Sequence, residues 1–421
     1  MAKRFSQRGL RLYSKKEPAA SLDIIRPTNI RQVSIPIKTE TGLNCELVVD
    51  FDTVVKPGQK LAAPLDGEGL CVYSSVAGVV TKTYESTHPV LGAVTYVIVE
   101  CSTMDMPETI APQEISLLTP EEICQLAESH SIIDELDGTP LYKKLRNMME
   151  AHPSVVFADA IEDEAYQSSA WGTIYEDFFQ VITGLRLIAQ CAGTERYQIA
   201  SAMPRHYWRH TKEHVDSEYL YLARPNFYPH DDLQHMEKEE CRVGVQACRA
   251  LFRAAAYDEP QIECLLTING DAVSLPANVR VPVGTSLRLA LEIVGGDPEA
   301  LLVLGDNMKG VEISSVDVPI VPSMTCILCL KEKTLPNPTV CQYCGLCARV
   351  CHRHLMPFEI ARRYENKQYS FLPALHPGDC DGCNACSFAC PAHREVAEAV
   401  AGAKEESSIN QIMWEVTPNG D

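Results

Sequence analysis

Cys341-Gln342-Tyr343-Cys344-Gly345-Leu346-Cys347-Ala348-Arg349-Val350-Cys351 and Cys380-Asp381-Gly382-Cys383-Asn384-Ala385-Cys386-Ser387-Phe388-Ala389-Cys390-Pro391 share one spacing: three cysteines at intervals of two residues and a fourth after three more. Two-residue intervals let three thiolates converge on a cubane iron–sulfur cluster as the backbone wraps it, while the fourth cysteine of each run reaches the other cluster. The expectation is two four-iron, four-sulfur clusters. One takes Cys341, Cys344, Cys347 and Cys390, and the other takes Cys380, Cys383, Cys386 and Cys351. Gly345 and Gly382 suit a backbone that approaches inorganic sulfur closely and turns its amides toward it. The alternative is zinc, whose sites set two cysteine pairs a dozen or more residues apart and need no third cysteine two residues on. His352 stands where the commonest pattern has proline after the fourth cysteine; it alters the local turn and leaves both cysteine sets intact.

Between the runs, Leu355 to Arg362 starts a helix with Pro357 in its first turn, where a missing backbone N–H costs nothing. Ten further cysteines are scattered, as small buried thiols often are. Cys326 and Cys329 form another C-x-x-C, but Thr325 to Leu330 reads as an apolar strand whose residues three apart face opposite ways, so they are read as structural thiols and not as a redox pair.

The rest of the chain of 421 residues is modular, and 46% hydrophobic content is enough for more than one core. Val33 to Ile37, Glu46 to Val49, Val72 to Val76 and Thr95 to Glu100 read as short strands separated by turns, which makes a small all-β module. Pro107 to Glu114 reads as a polar linker. Beyond it, Phe178, Val181, Ile182, Leu185 and Ile188 form one apolar stripe along a helix from Glu176 to Cys191, flanked by strands at Ser154 to Ala158 and Tyr197 to Ser201. Strands at Glu263 to Ile268 and Asn278 to Val283, joined through Asn269-Gly270-Asp271 and followed by a helix from Ser286 to Ile293, predict a compact β-grasp-like insert.

With 37 Lys plus Arg against 56 Asp plus Glu, the net charge of -19 excludes binding driven by counterion release from nucleic acid. It fits docking onto basic patches of protein partners. No stretch has the length of a membrane span, and the basic start Met1 to Arg8 lacks the apolar core of a secretory signal. A cytoplasmic location is expected, which favours metal ligation over a disulfide framework for 18 cysteines. Peripheral membrane association through a complex is compatible with that.

Val54 to Leu61 followed by Ser75 to Val80 resembles the barrel-sandwich fold of lipoyl and biotinyl carriers, without the carrier lysine flanked by methionine. The module order, with Ile268 to Val273, Asn278 to Val281, Val303 to Gly310 and the two cysteine runs, resembles the C subunit of Rnf-type ferredoxin:NAD oxidoreductases. It resembles still more the soluble relative of that subunit, the proline reductase-associated electron transfer protein. The resemblance implies an α/β and α+β multidomain protein. Its parts would be a leader at 1–30, a barrel-sandwich hybrid at 31–106, a Rossmann-like α/β domain at 115–255, a β-grasp (SLBB-like) domain at 260–320, a two-cluster ferredoxin-like α-helical domain at 330–400 and a tail at 401–421.

It also implies FMN and NADH beside a G-x-G-G-A-G-F-P loop. The matching stretch is Ile133-Asp134-Glu135-Leu136-Asp137-Gly138-Thr139-Pro140, which keeps only Gly138 and Pro140 and sets carboxylates where a dianionic phosphate would rest. Asp159 to Tyr166 stands for N-G-A-E-C-E-P-Y and keeps Glu162, Glu164 and Tyr166, read here as an acidic loop. Val245 to Ala250 stands for V-Q-N-V-G-T without its polar cofactor groups. The resulting expectation is an electron-transfer protein that relays single electrons through two [4Fe-4S] clusters between a redox partner and a terminal reductase. FMN is doubtful, and NADH dehydrogenase activity of its own is not expected. An FMN-containing NADH-dependent reductase subunit and a structural iron–sulfur subunit are the alternatives.

Overall fold

The computed structural model describes residues 9–21, 23–38, 45–65, 69–102, 113, 115, 118–209, 217–223, 227–229, 242–332 and 336–416. The start Met1 to Arg8 and, apart from Gln113, the linker 107–114 lie outside the described residues.

Two small sheets form the N-terminal barrel. In one, Gln32–Pro36, Gly92–Cys101, Gly78–His88 and Val54–Val55 pair antiparallel in that order; in the other, Lys60–Pro64 lies between Cys45–Leu47 and Val72–Tyr73. Alternating residues Val33, Ile35, Val97 and Val99 point inward onto Leu61 and Ala62, as a half-buried strand's period of two requires. The expected strand from Val72 to Val76 stops at Tyr73. There the buried Ser75 hydroxyl leaves the sheet and donates to the Val283 carbonyl of a later module at 2.6 Å.

Helix α1 (Glu17–Ala20) precedes the barrel, and α2 (Pro120–Ser129), α3 (Leu141–Ala151), α4 (Ser169–Cys191) and α5 (Val245–Tyr257) follow it. A four-stranded parallel sheet accompanies them in the order Leu220–Leu222, Tyr197–Ser201, Val156–Ala160, Arg242–Gly244. The α4 helix starts earlier than its apolar stripe. Residues 169 to 174 are all buried and show no polar face, and Asp177, at φ -124° and ψ 36°, interrupts the helix where the stripe begins. Against α5 it packs closely enough that a Cβ on Gly184 would stand 1.8 Å from the Cys248 carbonyl oxygen.

The third sheet orders Ala277–Pro282, Glu263–Asn269, Cys326–Leu330, Leu301–Leu304 and Val311–Ile313, with α6 (Leu287–Val294) against it. Cys326 and Cys329 are fully buried on its central strand. Cys329 belongs to the core shared with α6, whereas Cys326 feels the carboxylates of Asp306, Glu162 and Glu164.

The cysteine-rich end is helical: α7 (Leu346–Val350), α8 (Pro357–Glu365), α9 (Ala385–Phe388) and α10 (Val396–Val416). Its two halves repeat one backbone path. Tyr343 and Gly382 have φ of 54° and 73°, Gly345 and Asn384 72° and 60°, His354 and His393 58° and 52°. The left-handed turns thus fall at equivalent places in both runs, and α8 and α10 each begin six residues after the fourth cysteine.

Candidate metal centres

Cys341, Cys344, Cys347 and Cys390 border one cavity of about 300 Å³, closed on its other sides by Tyr343 and Phe358. Three come from the first run and one from the second. Cys344 is exposed and Cys347 buried, so this basin lies at the surface. Val340 and Tyr343 beside it are 83% and 65% exposed, a large apolar area to leave in water.

The remaining four form a second, inner group. Cys351 lies within the electrostatic reach of Cys380, Cys383 and Cys386, the complementary sorting. Backbone N–H groups already point at these sulfurs: Leu355 and Arg353 at Cys351, Ala385 at Cys383, Ser387 at Cys386. The fully buried Tyr228 hydroxyl donates to the Cys383 carbonyl at 2.6 Å, and the Asn384 amide to the Met308 carbonyl at 2.8 Å. These bonds fasten the inner group to the body of the protein.

A single tetrahedral zinc at about 2.3 Å from each sulfur would hold the sulfurs roughly 3.8 Å apart. Among the described residues no three cysteine sulfurs lie within 4.8 Å of one another; only His352, Asp381 and Cys383 bring three ligand atoms that close. The basins therefore fit a multi-atom cluster better than one ion. Burial pushes Cys383 and Cys386 up to about 12 each, helped at Cys383 by the Asp381 carboxylate and at both by the neighbouring thiols. Metal would have to displace those protons. The His352 ring sits beside this group, 2.6 Å from Asp381 Oδ2 through Nε2 and 3.9 Å from Cys383 Sγ through Nδ1.

Against the inner group opens a second cavity, of about 360 Å³, whose wall includes Glu135, Glu162, Arg242, Lys309, His352 and Asp381. All three stretches matched to flavin-binding motifs meet here, and each is internally satisfied. Glu135 accepts the backbone N–H groups of Gln246 at 2.6 Å and Ala247 at 3.0 Å, in the first turn of α5. Asp134 accepts Gly244 N–H at 3.0 Å, and Lys144 binds Asp134 and Asp137, each at 2.7 Å. Burial and the adjacent Asp134 charge push the Glu135 carboxyl up, while the two backbone N–H groups, one on each oxygen, favour its ionised form.

The Gln246 side chain is consumed in a paired bond to the Leu265 backbone, at 2.9 and 2.7 Å. Within Asp159 to Tyr166, read as an acidic loop, the Glu162 and Glu164 carboxylates turn inward. Glu162 accepts Ala170 and Trp171 N–H at the start of α4, and Glu164 accepts Met308 N–H at 2.9 Å. Burial raises both carboxyls, Glu164 to about 7. Asp306, which sequence reasoning placed in a family stretch without a role, accepts Tyr166 and Gln167 N–H at 2.9 and 2.6 Å. The residues present do not fit FMN, since the helix-start amides that a phosphate would need are already bonded to Glu135 and Glu162.

This chain of β, α/β and helical modules matches the RnfC barrel sandwich hybrid domain over residues 4–104. Its relatives include the C subunit of the proton-translocating ferredoxin:NAD(+) oxidoreductase complex of Clostridium ljungdahlii, 24% identical over 77% of this chain and 77% of that protein. The C subunit of the Na(+)-translocating ferredoxin:NAD(+) oxidoreductase complex of Acetobacterium woodii is 24% identical over 93% of this chain and 94% of that one. The C subunit of the ion-translocating oxidoreductase complex of Yersinia enterocolitica is 36% identical over 26% of this chain and 17% of its own. Among solved structures, NAD+-reducing [NiFe]-hydrogenase in the air-oxidized state covers 72% of this chain and 68% of its own at 11% identity, with a TM-score of 0.44. No helix among the described residues is long and apolar enough to cross a membrane.

Proposed function

We propose that this protein is an electron-transfer subunit of a ferredoxin:NAD oxidoreductase-type system, relaying single electrons between a redox partner and a terminal reductase. The carrying observation is the crosswise sorting of eight thiols into an outer basin open to solvent and an inner one fastened against the protein body. Cys341, Cys344, Cys347 and Cys390 would hold one [4Fe-4S] cluster, and Cys380, Cys383, Cys386 and Cys351 the other. Bound clusters would supply the one-electron carriers.

The chain's own residues supply the rest. Backbone amides aimed at Cys351, Cys383 and Cys386 stabilise sulfur-borne negative charge, and Tyr228 fixes the loop that presents Cys383. Exposed Cys344, Val340 and Tyr343 offer a partner close approach to the outer basin. Similarity to the C subunits of ferredoxin:NAD(+) oxidoreductase complexes supports protein partners. Cofactor analysis of anaerobically purified protein tests the reading: about eight irons, eight sulfides and no flavin per chain are expected. Stoichiometric FMN, or iron absent from correctly folded protein, would overturn it.

A further inference from the structure

We propose that Glu135 is a built-in anion that occupies the place of a ligand phosphate at the start of α5, so that the cavity beside the inner cysteines excludes flavin nucleotides by occupation and not by collapse. The cavity is still there, at about 360 Å³. Its helix-start amides are taken by the chain's own acids. Glu135 is 9% exposed, and its two carboxylate oxygens take one backbone N–H each, from Gln246 and Ala247. These amides open a helix of 13 residues, the strongest sort of backbone site for an oxyanion.

The position is tailored to the side chain. Gly244 directly precedes the helix, and a Cβ there would lie 2.1 Å from the Glu135 carboxyl carbon. Only glycine leaves room for the carboxylate to lie over that backbone. Asp134 takes the Gly244 N–H, which closes the loop onto the helix start from the other side. Across the cavity the same solution recurs at α4, where the Glu162 carboxylate takes the Ala170 and Trp171 N–H groups. Two helix starts that face one cavity are thus both neutralised by the chain's own acids, and a phosphorylated ligand would meet carboxylates in place of free amides.

Vacating the α5 start should restore an anion site. The test uses full-length, cluster-loaded protein titrated with inorganic phosphate and with FMN, read by thermal shift and by equilibrium dialysis. Neither readout depends on electron transfer, and the phosphate arms with E135A can fail while the relay function stands. Wild type is expected to show no saturable shift or binding with either probe. E135A is expected to melt lower in phosphate-free buffer and to regain stability with saturating phosphate, whereas E135Q, which fills the same volume, gains nothing.

If E135A cannot be purified without phosphate, the proposal requires that phosphate-containing buffer restore folded protein. One FMN bound per wild-type chain would overturn the proposal. So would a folded E135A indifferent to phosphate, or an E135A that phosphate fails to rescue.

Discussion

Replacing Cys390 by alanine should remove the cluster held mainly by the first cysteine run, although Cys390 belongs to the second. Cys390 borders the outer cavity with Cys341, Cys344 and Cys347, while Cys351 of the first run lies with Cys380, Cys383 and Cys386. With about four irons per cubane, C390A should retain about four of about eight. The double variants carry the discrimination. C341A/C390A removes two ligands of one basin and should also retain about four irons, whereas C386A/C390A strikes both basins and should retain none.

Assignment run by run predicts the reverse: C341A/C390A would lose everything and C386A/C390A would keep one cluster. Iron and sulfide content of anaerobic protein gives the count, and electron paramagnetic resonance of the reduced sample shows whether the signal left in C390A matches that left in C341A. If the signal left in C390A instead matches that left in C386A, the crosswise reasoning fails.

C383A should likewise cost one cluster and stop electron transfer; unchanged iron and transfer would defeat the relay reading. Tyr228→Phe leaves the Cys383 carbonyl without its buried donor, an expected cost of ~1–2 kcal/mol that should speed release of inner iron to a chelator more than of outer iron. Gly184→Ala drives a Cβ into the Cys248 carbonyl and should cost at least about 1–3 kcal/mol in denaturant unfolding. Glu263 offers a pH test. Burial pushes its carboxyl up, but Arg249, Arg280 and Arg253 outweigh that and hold it at about 2, below its ordinary 4.5. A lowered native pKa means a contribution present above about pH 4.5 and lost as pH falls toward about 2, so the stability curves of wild type and E263Q should converge in acid.

Much of the architecture was legible because it rests on local rules. Tyr197–Ser201 falls where its β-branched and aromatic run placed it, and the helices at Leu287–Val294 and Pro357–Glu365 begin at their Ser286 cap and at Pro357. Less legible was anything governed by contacts far along the chain. The sequence stripe started α4 at Glu176, because residues 169 to 174, buried on all sides, present no periodicity to read. The strand from Val72 ended early because Ser75 was needed by Val283, more than two hundred positions away.

At the candidate sites the division is sharper. The spacing of Cys341 to Cys351 and of Cys380 to Cys390 alone predicts that eight thiols converge in two sets, since a two-residue interval is a property of the backbone. The carboxylates at Asp134, Glu135 and Asp137 were also visible as a poor fit to phosphate. What only the tertiary structure decided is which basin meets solvent, and what those acids do. Glu135 reads in sequence as an unfavourable charge in a loop; folding brings it to two unpaired amides at a helix start 111 and 112 positions away, where a buried charge is solvated by the backbone.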